Sequence, residues 1–332
     1  MEQRKTRIAI NGFGRIGRTL LRILLRQGEG FELVLINDIE PLETCAYLFQ
    51  FDSVFGPWPE HIRTDKNALI VGERRIAFHG TADLGQLDLS GVDVVLECTG
   101  MGGARAVAER GLAAGAGKIL VSGPAAEADV TLVMGANETE YAGQGIVSNA
   151  SCTTNALAPL VRLIDDAFGL ISGQMTTVHC YTGSQPTVDK PRDVVERSRA
   201  AALSMVPTTT SAHDQTALVL PHLKGRIEAR AIRVPTASVS CIDLTLQTQD
   251  RVRPSTVNKL LLEAASGSVF GWTEQPLVSS DLRARSESIV MVGPETSVSE
   301  GGLLRVFGWY DNEWGFSCRM LDMASMMAAW RS

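Results

Sequence analysis

Short apolar runs alternate with helix-like segments through the first half of the chain. Between them lie amphipathic stretches in which apolar residues recur at helical spacing, such as RTLLRILLRQ (18–27) and ARAVAERGLAAG (104–115). The β-rich runs are TRIAIN (6–11), FELVLIND (31–38), VDVVLECTG (92–100), KILVSG (118–123) and LVMGAN (132–137). This alternation is typical of βαβ units on a parallel sheet. We therefore predict an α/β region first.

The pattern changes after about residue 150. One helix-like segment, TTNALAPLVRLIDDAFGL (153–170), precedes the longer β-rich runs GQMTTVHCYTG (173–183), IEARAIRVPTASVSCIDLTLQT (227–248) and SIVMV (288–292). Such runs suit a mixed or antiparallel sheet with helices on one face, so we predict an α+β second domain. The polar stretch 182–211 predicts a functional or interface-forming loop, with disorder as the alternative.

These patterns divide the chain into three parts. We predict a first domain over residues 1–151 and a second domain over 152–314. The C-terminal run SCRMLDMASMMAAW (317–330) reads as an amphipathic helix, which defines a third segment, 315–332.

Composition narrows the class of protein. With 332 residues, of which 45% are hydrophobic and 20% charged, the chain has the length of about two soluble domains. A net charge of −6 argues against a nucleic-acid surface, and the chain contains no apolar run long enough to cross a bilayer. A polar N-terminus leads directly into a strand, so we expect a cytoplasmic protein. The six cysteines lie far apart, and no Cys or His pair has metal-ligand spacing, so we predict no metal site.

A glycine-rich turn, INGFGRIGR (10–18), lies between the first strand and the first helix. Gly12, Gly14 and Gly17 would allow a tight turn, close approach of a pyrophosphate, and tight packing of the helix on the strand. Asp38 lies 21 positions after Gly17 at the end of the second strand, where a carboxylate can bind both ribose hydroxyls of NAD and repel a 2′-phosphate. We therefore predict a Rossmann-type doubly wound domain that binds NAD.

One cysteine has unusual surroundings. In SNASCTTNALAPL (148–160), Cys152 lies where a strand gives way to a helix, so its sulfur should be near the helix N-terminus, which favours thiolate. Ser151, Thr153 and Thr154 place hydroxyls around it. The alternative is a small buried hydrophobe, the role that suits most of the other cysteines. The polar neighbours favour a nucleophile.

A cysteine nucleophile needs a base, and the chain has only five histidines. His179, in TTVHCYTG (176–183), is 27 positions after Cys152, enough for a helix to return and bring a strand end beside the thiol. Cys180 should face away from this site because neighbours on a strand point to opposite faces.

These residues resemble those of the phosphorylating glyceraldehyde-3-phosphate dehydrogenase family. The resemblance runs nearly end to end. It rests on INGFGRIGR, SNASCTTN, RAAAL with VPTTT, RVPT with SVS and DL, and WYDNEWGFSCRMLD, which occur in the family's order and spacing.

The resemblance implies oxidation of an aldehyde in two halves. The Cys152 thiolate adds to glyceraldehyde 3-phosphate, and His179 accepts a proton and stabilises the oxygen while hydride passes to NAD. Inorganic phosphate then attacks the resulting thioester and releases 1,3-bisphosphoglycerate. The family's members are glycolytic homotetramers, and the loop 182–211 would be where the subunits meet.

The resemblance also implies roles for further residues. The substrate's own phosphate would be bound by Thr182 and Arg233. The attacking phosphate would be received by Ser151, Thr153, Thr210 and Ser211, with Arg197 or Arg199. Cofactor contacts would come, besides the glycines and Asp38, from Arg15, Ile16, Thr99, Ser122 and Asn312, the last of these at the nicotinamide carboxamide.

Several positions depart from the family pattern. Ser184 replaces a frequent acidic residue, Ser211 replaces a glycine, and TADL (81–84) lacks the arginine usual near the adenine. In DKPR (189–192), Lys190 or Arg192 could tolerate a 2′-phosphate, which keeps NADP or dual use open beside NAD. Erythrose-4-phosphate dehydrogenase remains an alternative activity, and a catalytically idle NAD- or RNA-binding protein is an alternative of a different class.

Overall fold

A computed structural model describes residues Arg4–Trp330. The chain forms two compact units. The first unit comprises the residues up to Leu132, the segment Glu138–Ala150 and the residues from Ser317 onward. The second unit comprises Val133–Asn137 and Ser151–Phe316.

The first unit is built on a nine-stranded sheet within the described residues. The elements of this unit are β1 (Thr6–Asn11), α1 (Arg15–Gln27), β2 (Phe31–Asn37), α2 (Leu42–Gln50), β3 (Phe51–Asp52), β4 (Gly56–Pro57), β5 (Ile62–Asp65), β6 (Ala68–Val71), β7 (Arg74–His79), β8 (Val94–Glu97), α3 (Arg105–Ala113), β9 (Lys118–Val121), β10 (Val130–Thr131) and β11 (Ile146–Ser148). The strand order in the sheet is β10-β11-β9-β8-β1-β2-β7-β6-β5. Six neighbouring pairs, from β10 to β7, are parallel, whereas β5–β6 and β6–β7 are antiparallel.

The central strands of this sheet are buried. Ile8, Ile10 and Leu96 are fully buried, as expected for parallel strands covered on both faces. Their carboxyl ends lie together at one edge, where the glycine turn follows β1. The predicted parallel α/β domain is confirmed.

The second unit contains an eight-stranded mixed sheet within the described part of the chain. The elements of this unit are α4 (Cys152–Phe168), β12 (Leu170–Cys180), β13 (Val206–Thr208), α5 (Ala212–Val219), β14 (Ile227–Val234), β15 (Ser240–Thr248), α6 (Pro254–Ala264), β16 (Phe270–Thr273), β17 (Ile289–Val292), β18 (Ser297–Val298) and β19 (Leu304–Tyr310). The strand order is β13-β14-β12-β15-β19-β17-β16, with β18 paired to β19. Helix α7 (Trp314–Ala329) follows, and its residues from Ser317 onward belong to the first unit. The predicted α+β region with a mixed sheet is confirmed.

Two predicted strands differ from the structure. The run LVMGAN is a turn, because the Val133 N–H donates to Asn137 Oδ1 at 2.9 Å and Gly135 has φ +83°. The long run 227–248 is two strands, β14 and β15. Pro235 and a Thr236 N–H to Val234 O bond of 2.7 Å break it at residues 235–239.

Within Arg4–Trp330, no helix is both long enough and apolar enough to cross a membrane.

Candidate active site and cofactor pocket

Cys152 is the first residue of helix α4. Ser151 is the N-cap, and its Oγ accepts a hydrogen bond from Thr154 N–H at 3.1 Å. The chain then enters the helix with the Cys152 side chain only half-buried. The sulfur is therefore placed at a helix N-terminus.

Strand β12 carries His179 to the thiol. His179 Nε2 lies 3.7 Å from Cys152 Sγ, within hydrogen-bond range for sulfur. His179 Nδ1 lies 2.6 Å from the carbonyl oxygen of Cys180. A carbonyl can only accept, whereas Arg233 Nη1, 2.7 Å from the same nitrogen, can only donate, so these two contacts do not fix the position of the ring proton. A tautomer with its proton on Nδ1 would leave the lone pair of Nε2 facing the thiol.

The electrostatics of the pair differ from the sequence expectation of a ready thiolate. Burial raises the pKa of the Cys152 thiol, although the charge of Arg233 and hydrogen bonds from Thr153 oppose this shift. Burial, and after it the charge of Arg233, lowers the pKa of His179 to about 3. The raised pKa of Cys152 favours the thiol over the thiolate, and the lowered pKa of His179 favours the neutral imidazole. The arrangement suits an imidazole that accepts the thiol proton as the bond to substrate forms.

A buried tyrosine contacts residues next to both the thiol and the imidazole. Tyr310 Oη lies 2.9 Å from Thr153 Oγ1 and 2.8 Å from Thr177 Oγ1. Its ring meets the His179 ring edge-on, with 6.0 Å between centroids. Tyr310 therefore fixes one hydroxyl beside the nucleophile and one wall of the imidazole.

Of the two candidate residues for the substrate's phosphate, Arg233 lies beside the imidazole. Arg233 and His179 are partners on the parallel strands β14 and β12, so their side chains share one face. Arg233 Nη1 lies 2.7 Å from His179 Nδ1 and donates to Cys180 O at 3.0 Å. Thr182 Oγ1 lies 2.9 Å from Ser184 Oγ. Ser184 thus places a hydroxyl beside Thr182.

The two candidate arginines for the attacking phosphate differ. Arg197 donates through Nε to Thr208 Oγ1 and through Nη2 to Thr209 O, both at 2.9 Å. Its charge also acts on His179. Arg199 instead forms an exposed ion pair with Asp189 at 3.0 Å. The structure brings Arg197 to this cluster and leaves Arg199 on the surface.

Thr210 and Ser211 precede helix α5, and a glutamine of that helix reaches the nucleophile's helix. Gln215 Oε1 accepts from Ser151 N–H at 2.8 Å and from Thr154 Oγ1 at 3.1 Å. Gln215 and Tyr310 were missed by the sequence analysis. Neither carries a local signal, because each acts across a large separation in sequence.

A cavity of about 540 Å³ lies in the first unit at the carboxyl ends of the parallel strands. Gly12, Gly14, Asp38 and Thr99 line it. Gly12 has φ +95°, and a Cβ there would lie 2.6 Å from the backbone of Cys98. No described atom lies within 4 Å of a Cβ built on Gly14, which leaves room for a ligand to approach the backbone. These features fit a dinucleotide.

Asp38 is held at the rim of this cavity. Its carboxylate accepts from Phe13 N–H at 2.5 Å and from Glu40 N–H at 2.9 Å. Each oxygen keeps a lone pair for a ribose hydroxyl.

Arg15 and Ile16 open helix α1 directly after the turn, where the first-turn N–H groups can meet a pyrophosphate. The Arg15 guanidinium itself pairs with Asp52. Thr99 bonds to Glu97, and Ser122 bonds to the thiol of Cys98, another residue of the cavity wall.

The segment TADL contributes to this cavity, and so does an arginine from another element. Thr81, Ala82 and Leu84 of TADL line the cavity, and so does Arg110 from helix α3. Arg110 Nε lies 3.8 Å from Asp83 Oδ1. Asn312, the remaining cofactor candidate, lies in the second unit, where Cys180 Sγ donates to its Oδ1 at 3.0 Å.

The fold and these two sites define an NAD-dependent oxidoreductase. Two family models match the chain. Residues 6–105 match the glyceraldehyde 3-phosphate dehydrogenase NAD-binding domain, and residues 151–312 match the C-terminal domain of the same family. The chain belongs to the glyceraldehyde 3-phosphate dehydrogenase family.

Curated relatives agree over almost the whole length. The chain is 46% identical over 329 residues to glyceraldehyde-3-phosphate dehydrogenase of Xanthobacter flavus, which covers 97% of this chain and 98% of the relative. It is 44% identical over 326 residues to that of Cereibacter sphaeroides, with the same coverage. It is 42% identical over 329 residues to glyceraldehyde-3-phosphate dehydrogenase 1 of Bacillus subtilis, again over 97% and 98%.

Proposed function

We propose that this chain oxidises glyceraldehyde 3-phosphate to 1,3-bisphosphoglycerate, using NAD and inorganic phosphate, through a thioester on Cys152. The observation that carries the proposal is the 3.7 Å contact between a helix-terminal thiol and the Nε2 of a buried histidine. The identity of the aldehyde substrate is inferred from the names of the curated relatives.

The first half of the reaction forms the thioester. Cys152 Sγ attacks the aldehyde carbon as His179 Nε2 takes the thiol proton, which gives a hemithioacetal. The imidazolium, together with the N–H groups at the start of α4, stabilises the oxygen's developing charge. When bound, NAD would be the hydride acceptor for the oxidation of the hemithioacetal to the thioester.

The second half transfers the acyl group to phosphate. An oxygen of inorganic phosphate attacks the thioester carbon, and the carbon–sulfur bond breaks to return the thiolate. Ser151, Thr153, Thr210, Ser211 and Arg197 would hold the attacking anion. The fixed positions of Thr153 on Tyr310 and of Arg197 on Thr208 support these roles. We leave Arg199 out of this set.

The substrate's own phosphate would be bound by Thr182 and Arg233. Arg233 offers a forked guanidinium close to His179, and Thr182 offers a hydroxyl two residues after the end of β12, the strand that carries His179. For the cofactor, the roles proposed for Gly12, Gly14, Arg15, Ile16, Gly17, Asp38, Thr99, Ser122 and Asn312 are retained. Residues 1–151 would form the NAD-binding domain, 152–314 the catalytic domain, and 315–332 the C-terminal helix.

We also propose a cytoplasmic homotetramer in which the loop 182–211 meets another subunit. Four apolar residues of this loop have at least 74% of their surface exposed: Val188 (74%), Val195 (78%), Leu203 (84%) and Met205 (75%). Such a set on one loop is typical of a covered surface.

Phosphate dependence tests the activity. We expect NADH formation from glyceraldehyde 3-phosphate to stop after about one turnover per site without phosphate and to continue when phosphate is added. Erythrose 4-phosphate tested in parallel distinguishes the alternative, because release of an acid to water does not need phosphate. Continuous turnover without phosphate, or a preference for erythrose 4-phosphate, would overturn the proposal.

A further inference from the structure

Cys180 is a buried thiol that the reaction above does not use. It is the last residue of strand β12, and its side chain is fully buried. Its three polar groups all have partners. The N–H donates to Ser240 Oγ at 3.1 Å, and the thiol donates to Asn312 Oδ1 at 3.0 Å. The carbonyl accepts from Arg233 Nη1 at 3.0 Å and lies 2.6 Å from His179 Nδ1.

The thiol contact determines which end of the Asn312 amide is available. A thiol that donates to Oδ1 leaves the Nδ2 group free to donate elsewhere. Burial raises the pKa of Cys180 to about 12, so the thiol keeps its proton at neutral pH. Asn312 is itself buried, with 7% of its surface exposed, so bulk water has little access to the amide and would not hydrogen-bond to it in the wrong orientation.

The backbone around Asn312 is fixed by its neighbour. Asp311 Oδ1 accepts from Glu313 N–H and Trp314 N–H, both at 2.9 Å, and Oδ2 accepts from Ala284 N–H at 2.7 Å. With the backbone held in this way, rotation of the Asn312 side chain is the main remaining freedom. The Cys180 thiol restricts that freedom.

We propose that Cys180 is a positioning residue for the cofactor: its thiol orients the Asn312 amide so that Nδ2 donates to the carboxamide oxygen of the nicotinamide. This inference rests on the proposed role of Asn312. The same residue orients His179 through its carbonyl. Residue 180 therefore links the orientation of the base to that of the cofactor-binding amide.

The test compares variants that keep or remove the donor. Cys180→Ala and Cys180→Val remove it, the first with a smaller side chain than Cys and the second with a larger one, whereas Cys180→Ser keeps it. Cys241→Ala is the matched control, since Cys241 is also a buried cysteine, on the adjacent strand β15. We expect the Ala and Val variants to raise KM for NAD roughly three- to tenfold, the scale of one lost hydrogen bond. Ser and the Cys241 control should stay close to wild type, and KM for the aldehyde should change little in all of them.

A cofactor analogue separates orientation from general loosening. The thionicotinamide analogue of NAD presents sulfur, a weaker acceptor than oxygen, to Nδ2. Wild type should therefore discriminate between NAD and this analogue, and Cys180→Val should discriminate less. Combining Cys180→Val with Asn312→Ala should add nothing to the effect of Asn312→Ala on NAD affinity.

Two results would overturn the inference. One is an unchanged KM for NAD in both donor-free variants, and the other is an equal loss in Cys180→Ser and Cys180→Val, which would indicate packing alone. Failure of the proposed function is a separate result. A wild-type protein that binds NAD but does not oxidise the aldehyde would refute that function, while the Kd for NAD of each variant would still test Cys180.

Discussion

Cys152 Sγ and His179 Nε2 lie 3.7 Å apart, and the other ring nitrogen of His179 is bonded to Cys180 O. This geometry joins the end of one strand to the start of one helix. Both elements are rigid, so the nucleophile and the base are positioned before substrate arrives.

The buried imidazole should make the fold sensitive to acid. His179 has a folded pKa of about 3, lowered by burial and Arg233, against about 6.5 in an unfolded chain. Between these values the unfolded state binds the extra proton, so the free energy of unfolding should fall as pH drops below about 6.5, by up to about 1.4 kcal/mol per pH unit for one proton. Urea unfolding of wild type and His179→Gln between pH 4.5 and 7 measures this. The variant should show a shallower slope, and His61→Gln, at an exposed histidine, should match wild type. Equal slopes in wild type and His179→Gln would contradict the assignment.

Cys152 should be the thiol that iodoacetamide modifies first. Burial raises the pKa of Cys45 and Cys241 to about 11 each and that of Cys180 to about 12, and the pKa of Cys98 is raised as well, so these thiols should react slowly. Burial also raises the pKa of Cys152, but the charge of Arg233 opposes that shift and the residue is partly exposed. Peptide mapping after brief labelling at pH 7.5 identifies the modified site. Rapid labelling at any of the other five cysteines would argue against the nucleophile assignment.

Arg233 should accelerate that labelling. Its charge opposes the rise in the pKa of Cys152, so Arg233→Ala should lower the thiolate fraction and slow alkylation roughly three- to tenfold. Arg230→Ala removes an exposed charge from the same strand and serves as the control. A rate in Arg233→Ala that equals the control would show that the guanidinium does not act on the thiol.

Arg197 and Arg199 should have different effects on phosphate. Arg197 is held by Thr208 and Thr209, whereas Arg199 is paired with Asp189 at the surface. Arg197→Ala should raise KM for inorganic phosphate roughly tenfold or more, the scale of a lost charged hydrogen bond, and Arg199→Ala should change it little. Initial rates at varied phosphate concentration measure both. The reverse ranking would restore Arg199 to the site.

Asp38 should set the preference for NAD. The carboxylate is fixed by Phe13 N–H and Glu40 N–H, so a 2′-phosphate would meet a fixed negative charge. Asp38→Ser should raise KM for NAD and raise kcat/KM for NADP relative to NAD. The variants Lys190→Ala and Arg192→Ala test the alternative of dual use, and a selective loss of NADP activity in either would support it.

The sequence predicted the features that depend on local pattern. Strand β1, the glycine turn and the start of α4 at Cys152 were each placed correctly, because hydrophobic period and glycine spacing act over a few residues. The turn at Val133–Asn137 was missed because the apolar run LVMGAN resembles a strand. The hydrogen bond from Val133 N–H to Asn137 Oδ1, which stabilises the turn, is not apparent from that pattern. Tyr310 could not be linked to Thr153, since the two are 157 positions apart. The raised pKa of Cys152 follows from burial, which appears only in three dimensions.

Gly12 has a consequence for anyone who wishes to redesign this enzyme. A side chain at that position would collide with main-chain atoms, and those atoms cannot be trimmed by a second substitution. No compensating pair of mutations is available there, so the position is effectively closed to directed evolution. Libraries that aim at a different cofactor should keep the turn intact and vary the side chains at its rim, Asp38 and Glu40 first.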